Sequence, residues 1–402
     1  MTVNTDVVVI GGGYAGVMAA NRLTSRDDVS VTLVNPRPAF VHRVRLHQLV
    51  GGTHDAVVEY ADVLGERVQL KVDSVARINA ADRSVTLASG STVSYDYLVY
   101  AVGSGSVDPS VPGAAEFAYP VATYEAAQQL RLVLDDTPAT AAVTVVGAGP
   151  AGIETAAELA EAGRTVTLVC GGVLGPYLHS HGRRSVAGRL AKLGVRVVDG
   201  PDTMVTAVTS DAVRLADGRE LPSAVTIWTT GFAVPDLAVR SGLTTDEVGR
   251  LLTDETLTSV DDDRIVAAGD SAAPSNLPLR MSCLAAMPLG ARAADTVLSR
   301  LASEEPGTIH QSFGAQCISL GRRFGIFQFA NRSDEAVWAH IDDRLGAKIK
   351  EFICNGIPKH LADEAEKPGS YSLHQMKGGA EKRRQYVEAE RGAGAAETAQ
   401  AA

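Results

Sequence analysis

Asp6-Val7-Val8-Val9-Ile10-Gly11-Gly12-Gly13-Tyr14-Ala15-Gly16 is the stretch that decides the fold. Val7 to Ile10 are consecutive β-branched apolar residues, the pattern of a strand buried on both faces in a parallel sheet. Glycines follow at the spacing Gly11-x-Gly13-x-x-Gly16, and Val17-Met18-Ala19-Ala20 opens a helix. Gly11 permits a tight turn, and Gly13 admits a pyrophosphate that a Cβ would exclude. Gly16 lets the helix pack close to the strand. Free N–H groups and partial positive charge at the helix start favour phosphate. Strand, glycines and helix in this order predict a dinucleotide site.

The theme returns at residues 143–163. Val143-Thr144-Val145-Val146 precedes Gly147-x-Gly149-x-x-Gly152 and a helix to Ala162-Gly163, and residues 31–34 and 166–169 both read Val-Thr-Leu-Val. Two fingerprints imply two dinucleotide sites in one chain. At the end of the first unit's second strand, where an acid usually binds ribose, stands Asn35, which keeps an acceptor but no charge. The loop 36–52 carries Arg37, His42, Arg43, Arg45 and His47. It reads either as a solvated loop or as one whose side chains partly face the cofactor's phosphates or ring.

Strands are predicted at 68–72, 84–87 and 92–93, and at 95–104 ending in Gly103-Ser104. Asp108-Pro109 and Val111-Pro112-Gly113 mark a crossing between domains. Residues 225–232 echo the strand that ends at Gly103, and 264–271 form another buried strand before Gly269-Asp270; Asp270 alone could be a turn or cap residue. Pro288 suits the first turn of a helix running to about Leu301. Residues 321–329 look like a hairpin. Trp338, Ile341, Leu345, Ile349 and Phe352 fall on one helical face flanked by Arg344, Lys348 and Lys350, and Asn355-Gly356 and Pro358 should end that helix.

At 402 residues, with 45% hydrophobic and 21% charged residues, the composition is that of an ordinary soluble globular protein. Lys plus Arg number 37 against 47 Asp plus Glu, a net charge of −10, which gives no electrostatic reason to expect nucleic acid. Cys170, Cys283, Cys317 and Cys354 lie far apart, which argues against a disulfide framework or a structural metal site. The first strand leaves no room for a signal peptide, and no apolar run has spanning length, so a cytoplasmic location is expected.

Over roughly residues 5–300 the order of segments resembles the two-dinucleotide-fold flavoproteins of the pyridine nucleotide-disulfide oxidoreductase superfamily, and most of all the type II NADH dehydrogenase branch. The resemblance implies an α/β chain of two Rossmann-like domains plus a small C-terminal α+β region. The FAD domain would comprise 1–115 and 241–305, with the NAD(P)H domain inserted at 116–240. An interface region at 306–375 and a disordered tail at 376–402 would follow. FAD and NADH or NADPH are the implied cofactors. Gly11, Gly13 and Gly16 would hold the FAD pyrophosphate with Asn35 at the ribose, Gly103 would pass beside FAD, and Asp270 would bind its ribityl–phosphate region. Tyr14, Ala15, Arg43, Val75, Gly231, Gly269 and Met287 complete the implied cofactor set. Gly147, Gly149 and Gly152 match the NAD(P)H site, and Glu154 matches a glutamate near nicotinamide and flavin.

The departures are informative. No cysteine pair follows the first unit, which argues against a disulfide reductase. The glutamine-bearing motif of quinone-reducing members is replaced by Cys283-Leu284-Ala285-Ala286-Met287-Pro288-Leu289-Gly290. Cys170 stands where an acid would favour NADH. The expected activity is hydride transfer from NAD(P)H to FAD by stacking, then two electrons to a quinone or similar small acceptor. Glu154 would orient nicotinamide or relay a proton, with His47 and Cys283 as further catalytic candidates, and the helix N-terminus around Met287 would stabilise reduced flavin. A soluble reductase acting on an aromatic metabolite or a partner redox protein is the alternative, and a flavin-based redox sensor another. Peripheral membrane contact through the C-terminal amphipathic helix, or packing of that face on protein or on a second subunit, completes the expectations.

Overall fold

The computed structural model describes residues 4–107, 109–309, 313–331, 334–372 and 383–389. The elements used below begin with β1 (Thr5–Ile10), α1 (Tyr14–Leu23), β2 (Val29–Asn35), α2 (Leu46–Gly51), β3 (Val68–Val72) and β4 (Tyr97–Tyr100). Then come β5 (Ala118–Pro120), β6 (Ala142–Val146), α3 (Pro150–Glu161), β7 (Thr165–Val169), α4 (Ser180–Lys192), β8 (Arg196–Val198) and β9 (Val225–Trp228). The chain continues with β10 (Ile265–Ala267), α5 (Cys283–Leu301), β11 (Ala315–Ser319), β12 (Gly325–Ala330), β13 (Ala336–Ile341) and α6 (Asp343–Glu366).

Two parallel five-stranded sheets result, in the orders β10-β4-β1-β2-β3 and β5-β9-β6-β7-β8. They have the α/β architecture of paired Rossmann-like folds. β10 returns to the first sheet, with Ile265 opposite Leu98, after the chain has built the second. The two crossing segments pair with each other, Gly105 N donating to Ala233 O at 2.7 Å.

The apolar runs are explained by burial on both sheet faces. Val7, Val9, Val31, Leu33 and Val99 pack under α1 and α5, while Val8, Ile10, Val34, Leu98 and Tyr100 pack on the opposite side. That opposite side is covered by an antiparallel ladder of residues 75–79, 84–87 and 92–94. α1 and α5 approach so closely that a Cβ on Gly290 would overlap the Ala15 carbonyl.

The C-terminal region departs from the sequence reading. Trp338 and Ile341 lie in β13 of an antiparallel β11-β12-β13 sheet, not on a helix. α6 begins at Asp343 and runs through Asn355-Gly356 and Pro358 to Glu366. Its buried stripe is Gly346, Lys350, Cys354, Ile357, Leu361 and Glu364, so Leu345 and Phe352 face outward. α5 starts five residues before Pro288, because the Ser282 hydroxyl caps it by accepting the Ala285 N–H at 3.2 Å. Within the stretch expected to be disordered, residues 383–389 are helical and Arg383 pairs with Glu255 at 3.0 Å. The rest of 376–402 lies outside the described residues.

Candidate active site at the two glycine loops

The two loops repeat one steric design. A Cβ on Gly16 would overlap the Gly11 carbonyl oxygen, and one on Gly152 the Gly147 carbonyl oxygen, so each third glycine is required by the fold's own backbone. Gly11 and Gly147 have φ of +100° and +116°, a conformation that L side chains rarely adopt. Gly13 and Gly149 differ: a Cβ on either would meet nothing within 4 Å. Each therefore faces open space just before a helix N-terminus, at Tyr14 and Pro150, where unpaired N–H groups attract an anion. This cradle fits a pyrophosphate at both loops.

The first loop is clamped by side chains. Asn35 accepts the Gly12 N–H at 2.9 Å and donates to Arg37 O at 2.9 Å, so both ends of its amide serve the protein's own backbone. Tyr60, which the sequence reading did not single out, donates to Gly12 O at 2.8 Å. Across the cleft Arg43 donates to the Ser104 carbonyl and hydroxyl at 2.7 and 2.9 Å, and Ser104 donates to Asp270 at 2.7 Å. The second terminal nitrogen of Arg43 is buried without a partner among the described residues, a donor fitted to an acceptor oxygen of a bound cofactor. Gly103, Gly231 and Gly269 end β-segments with φ near +70°, and Gly269 abuts Ala15. Val75 sits in the antiparallel ladder, half-buried against the Val8–Tyr100 face. Met287 is buried in the second turn of α5, so the positive end of that helix lies at Cys283–Ala285 instead.

Tyr14 and His42 form a directed chain. The Val44 N–H donates to the Tyr14 hydroxyl, which donates to His42 Nδ1 at 3.1 Å, and His42 Nε2 donates to Cys354 O at 3.0 Å. The last bond explains why Pro358 does not break α6. A helix proline lacks the N–H that would bind the carbonyl four residues back, and His42 takes that carbonyl instead. Burial, reinforced by Arg45, pushes the His42 pKa down to about 3, which keeps the ring neutral as the chain requires.

Glu154, in the second turn of α3, is the centre of a buried cluster. Lys350 Nζ lies 2.9 Å from its carboxylate, and Ser319 donates its N–H and hydroxyl at 3.0 and 3.1 Å. His47 on α2 stands 3.6 Å from Glu154 and 3.2 Å from the Ser319 hydroxyl. Burial alone would raise the Glu154 pKa, but Lys350, His47 and the Ser319 N–H together hold it below the usual carboxylate range. Lys350 is likewise held well above the usual range by Glu154 against the pull of burial, so the pair is ionised. Burial pushes His47 down to about 4, despite the nearby carboxylate.

Lys350 also faces Cys283, Cys317 and Cys354. Burial outweighs its charge and raises all three thiols, Cys283 to about 12, so they stay protonated at neutral pH. In the sequence Lys350 looked like a flanking surface cation; its i, i+4 spacing to Gly346 and Cys354 is the signal that assigns it to the buried stripe. Ser319 carried no such signal. Among the described residues no group of three or more His, Cys, Asp or Glu is placed to hold a metal ion, and no helix is long and apolar enough to cross a membrane.

A family model described as pyridine nucleotide-disulphide oxidoreductase matches residues 5–292. An NADH dehydrogenase-like protein of Mycobacterium tuberculosis is 33% identical over 330 residues, covering 74% of this chain and 81% of its own. A type II NADH:quinone oxidoreductase of Haemophilus influenzae is 27% identical over 333 residues, covering 67% and 73%. Among solved structures, the sulfide:quinone oxidoreductase of Aquifex aeolicus shares the fold with a TM-score of 0.76 at 19% identity, over 90% of this chain and 92% of its own.

Proposed function

The chain belongs to the pyridine nucleotide-disulphide oxidoreductase family and is an NAD(P)H-dependent flavoprotein oxidoreductase, and from that premise we propose that its electron acceptor is a quinone. FAD, when bound, supplies the two-electron exchange between the nicotinamide and the acceptor. In this reading residues 1–115 and 241–305 hold FAD, 116–240 hold NAD(P)H, and 306–375 form the acceptor side. Gly11, Gly13 and Gly16 leave room for the FAD pyrophosphate, and Arg43 and Asp270 supply a donor and an acceptor beside it. Gly147, Gly149 and Gly152 do the same for the nicotinamide nucleotide.

The observation that carries the quinone reading is the buried Glu154–Lys350 pair. Reducing a quinone to a hydroquinone takes two electrons and two protons. The hydride equivalent from NAD(P)H accounts for both electrons and one proton, so one further proton must be supplied, whereas a one-electron protein partner takes none. Lys350 holds a proton at Nζ inside the C-terminal region, and Glu154 keeps it there until the acceptor's oxygen becomes the stronger base. The start of α5, with Cys283 and the partly exposed Leu284 in place of glutamines, is the feature that instead favours the soluble-reductase alternative. The relative from Haemophilus influenzae is named for quinone reduction.

A quinone dissolved in lipid also suits the outward side of the region. Trp338 on β13 is 70% exposed, and on α6 Leu345 is 57% and Phe352 79% exposed, with exposed Arg344 and Lys348 on the same helix. The test is anaerobic reduction with NADH or NADPH, followed by reoxidation with a menaquinone analogue in phospholipid vesicles, a short-chain soluble quinone, or a ferredoxin. Reoxidation by quinone at least tenfold faster than by ferredoxin is expected, and W338A/F352A should slow the vesicle-borne quinone alone. Failure with every quinone refutes the reading, and rapid ferredoxin reduction would favour the protein-partner alternative.

A further inference from the structure

The end of β7 carries no group that can read a nucleotide's ribose by charge. Cys170 is followed by Gly171 and Gly172, whose φ values of +63° and +146° keep side chains out of the turn. The neighbouring strand supplies a carboxylate. β7 and β8 run parallel with Val169 opposite Val198, and two backbone bonds carry that register past both strand ends. Cys170 N donates to Val198 O at 2.8 Å, and Gly200 N donates to Gly172 O at 2.7 Å. Asp199 is bracketed between them, abreast of Cys170.

Its carboxylate is exposed, and no hydrogen bond or ion pair among the described residues engages it. Its charge nevertheless reaches the thiol beside it: burial first, then Asp199, pushes Cys170 up to about 12. The Met204 sulfur lies over Gly171, where a Cβ would come within 3.3 Å of it, and Met204 is largely exposed, giving the same corner an apolar wall. Residues 170–182 and 199–204 contain no Lys or Arg, but do contain Asp199 and Asp202. Arg183, the first cation beyond, donates back to Leu178 O at 3.1 Å. His179 and His181 meet edge to face at the start of α4.

In a parallel nucleotide fold the adenosine end of the ligand lies at the carboxyl edge of these strands. A ribose bearing free hydroxyls gains an acceptor there, whereas a 2′-phosphate, with roughly −1.5 to −2 charge at neutral pH, meets the Asp199 carboxylate, while Arg183 is turned onto Leu178 O and Arg219 onto Asp217. We propose that Asp199, acting from the neighbouring strand, is the residue by which this chain selects NADH over NADPH. The proposal rests on the reading that the second glycine loop holds the nicotinamide nucleotide.

The test separates binding from turnover. Affinities of ADP-ribose and 2′-phospho-ADP-ribose for the holoprotein are measured by calorimetry for wild type, D199N and D199K, with anaerobic flavin reduction by NADH followed in parallel. Wild type should bind ADP-ribose at least tenfold tighter. D199N should shrink the preference about fivefold, the effect of one charge several ångströms from a phosphate in a wet site, and D199K should erase or reverse it. Exposure of Asp199 and its lack of partners mean that both variants should keep the wild-type unfolding midpoint. Equal wild-type affinities, or a preference unchanged in both variants, overturns the proposal, as does failure of ADP-ribose to bind. The predicted binding preference without flavin reduction by NADH would instead sink the oxidoreductase reading and leave Asp199 its role.

Discussion

Replacing Lys350 with Met tests whether the Glu154 cluster is held together by charge. Lys350 Nζ and Glu154 Oε1 are 2.9 Å apart, with the two side chains only 10% and 8% exposed. Removing one partner from a buried pair costs about 3–5 kcal/mol, because the other charge is left uncompensated. Glu154 would keep both hydrogen bonds from Ser319, which puts this case at the lower end, about 3 kcal/mol. The cost should depend on pH. Without the ammonium, burial governs Glu154 and lifts its folded pKa above the unfolded value, while His47 loses a repulsive neighbour and keeps an attractive one. A carboxyl whose folded pKa is raised contributes stability at low pH that is lost as pH rises through the folded pKa, so the penalty should be larger at pH 8 than at pH 6. E154Q/K350M removes both charges and should recover about 2 kcal/mol of the loss, since neutral replacements of buried pairs are often tolerated. Urea unfolding of the holoprotein followed by far-UV circular dichroism, at both pH values, reads these shifts at constant m. Additive single-variant losses, or a K350M penalty equal at pH 6 and pH 8, would refute the reasoning.

The two kinds of loop glycine should separate cleanly. G13A leaves the fold within about 1 kcal/mol but weakens FAD retention, because its Cβ enters open space, whereas G16A destabilises by about 3 kcal/mol or more through overlap with Gly11 O; unfolding and flavin content on dialysis distinguish them. His42 and His47, with folded pKa values of about 3 and about 4, bind fewer protons than in the unfolded chain below pH 6.5. Stability should therefore fall by about 1.4 kcal/mol per pH unit for each as pH drops from 6.5 to 4, and the slope attributable to His47 should vanish in H47Q; an unchanged slope in that variant would count against its buried neutral state.

The parallel sheets and glycine loops were legible because their signals are local. A run of β-branched residues dictates a strand, and a positive φ or a close approach dictates glycine, whatever lies elsewhere in the chain. Errors gathered where a distant partner overrides a local rule. Pro358 and Asn355-Gly356 are helix breakers by themselves, yet α6 continues because His42, from the first fold, takes the carbonyl that Pro358 cannot satisfy. Lys350 looked like a flanking cation, and it shares the buried stripe with Glu364 because Glu154 and Arg22 wait for these two charges in other elements. Asn35, expected at a ribose, also braces the loop itself by accepting from Gly12 and donating to Arg37 O, a structural use that its name alone did not announce and that leaves one N–H and one lone pair of the amide over.

Those two buried charges also explain what the C-terminal helix does for the rest of the molecule. Lys350 grips Glu154 on α3, the helix that starts at the second glycine loop, and Glu364 grips Arg22 at 2.8 Å on α1, the helix that starts at the first. His42 adds a third tie midway, at Cys354 O. One helix is thus bonded to both nucleotide-binding helices, and it bears on the distance between their two loops. Hydride transfer between stacked rings depends steeply on that distance, since a misplacement of about 1 Å can cost about a hundredfold in rate. The family match ends at residue 292, before β11–β13 and α6 begin. The Aquifex aeolicus structure nevertheless shares the fold over 90% of this chain, so it is the sequence of the segment tying the two helices together, more than its architecture, that can differ between members with common cofactors.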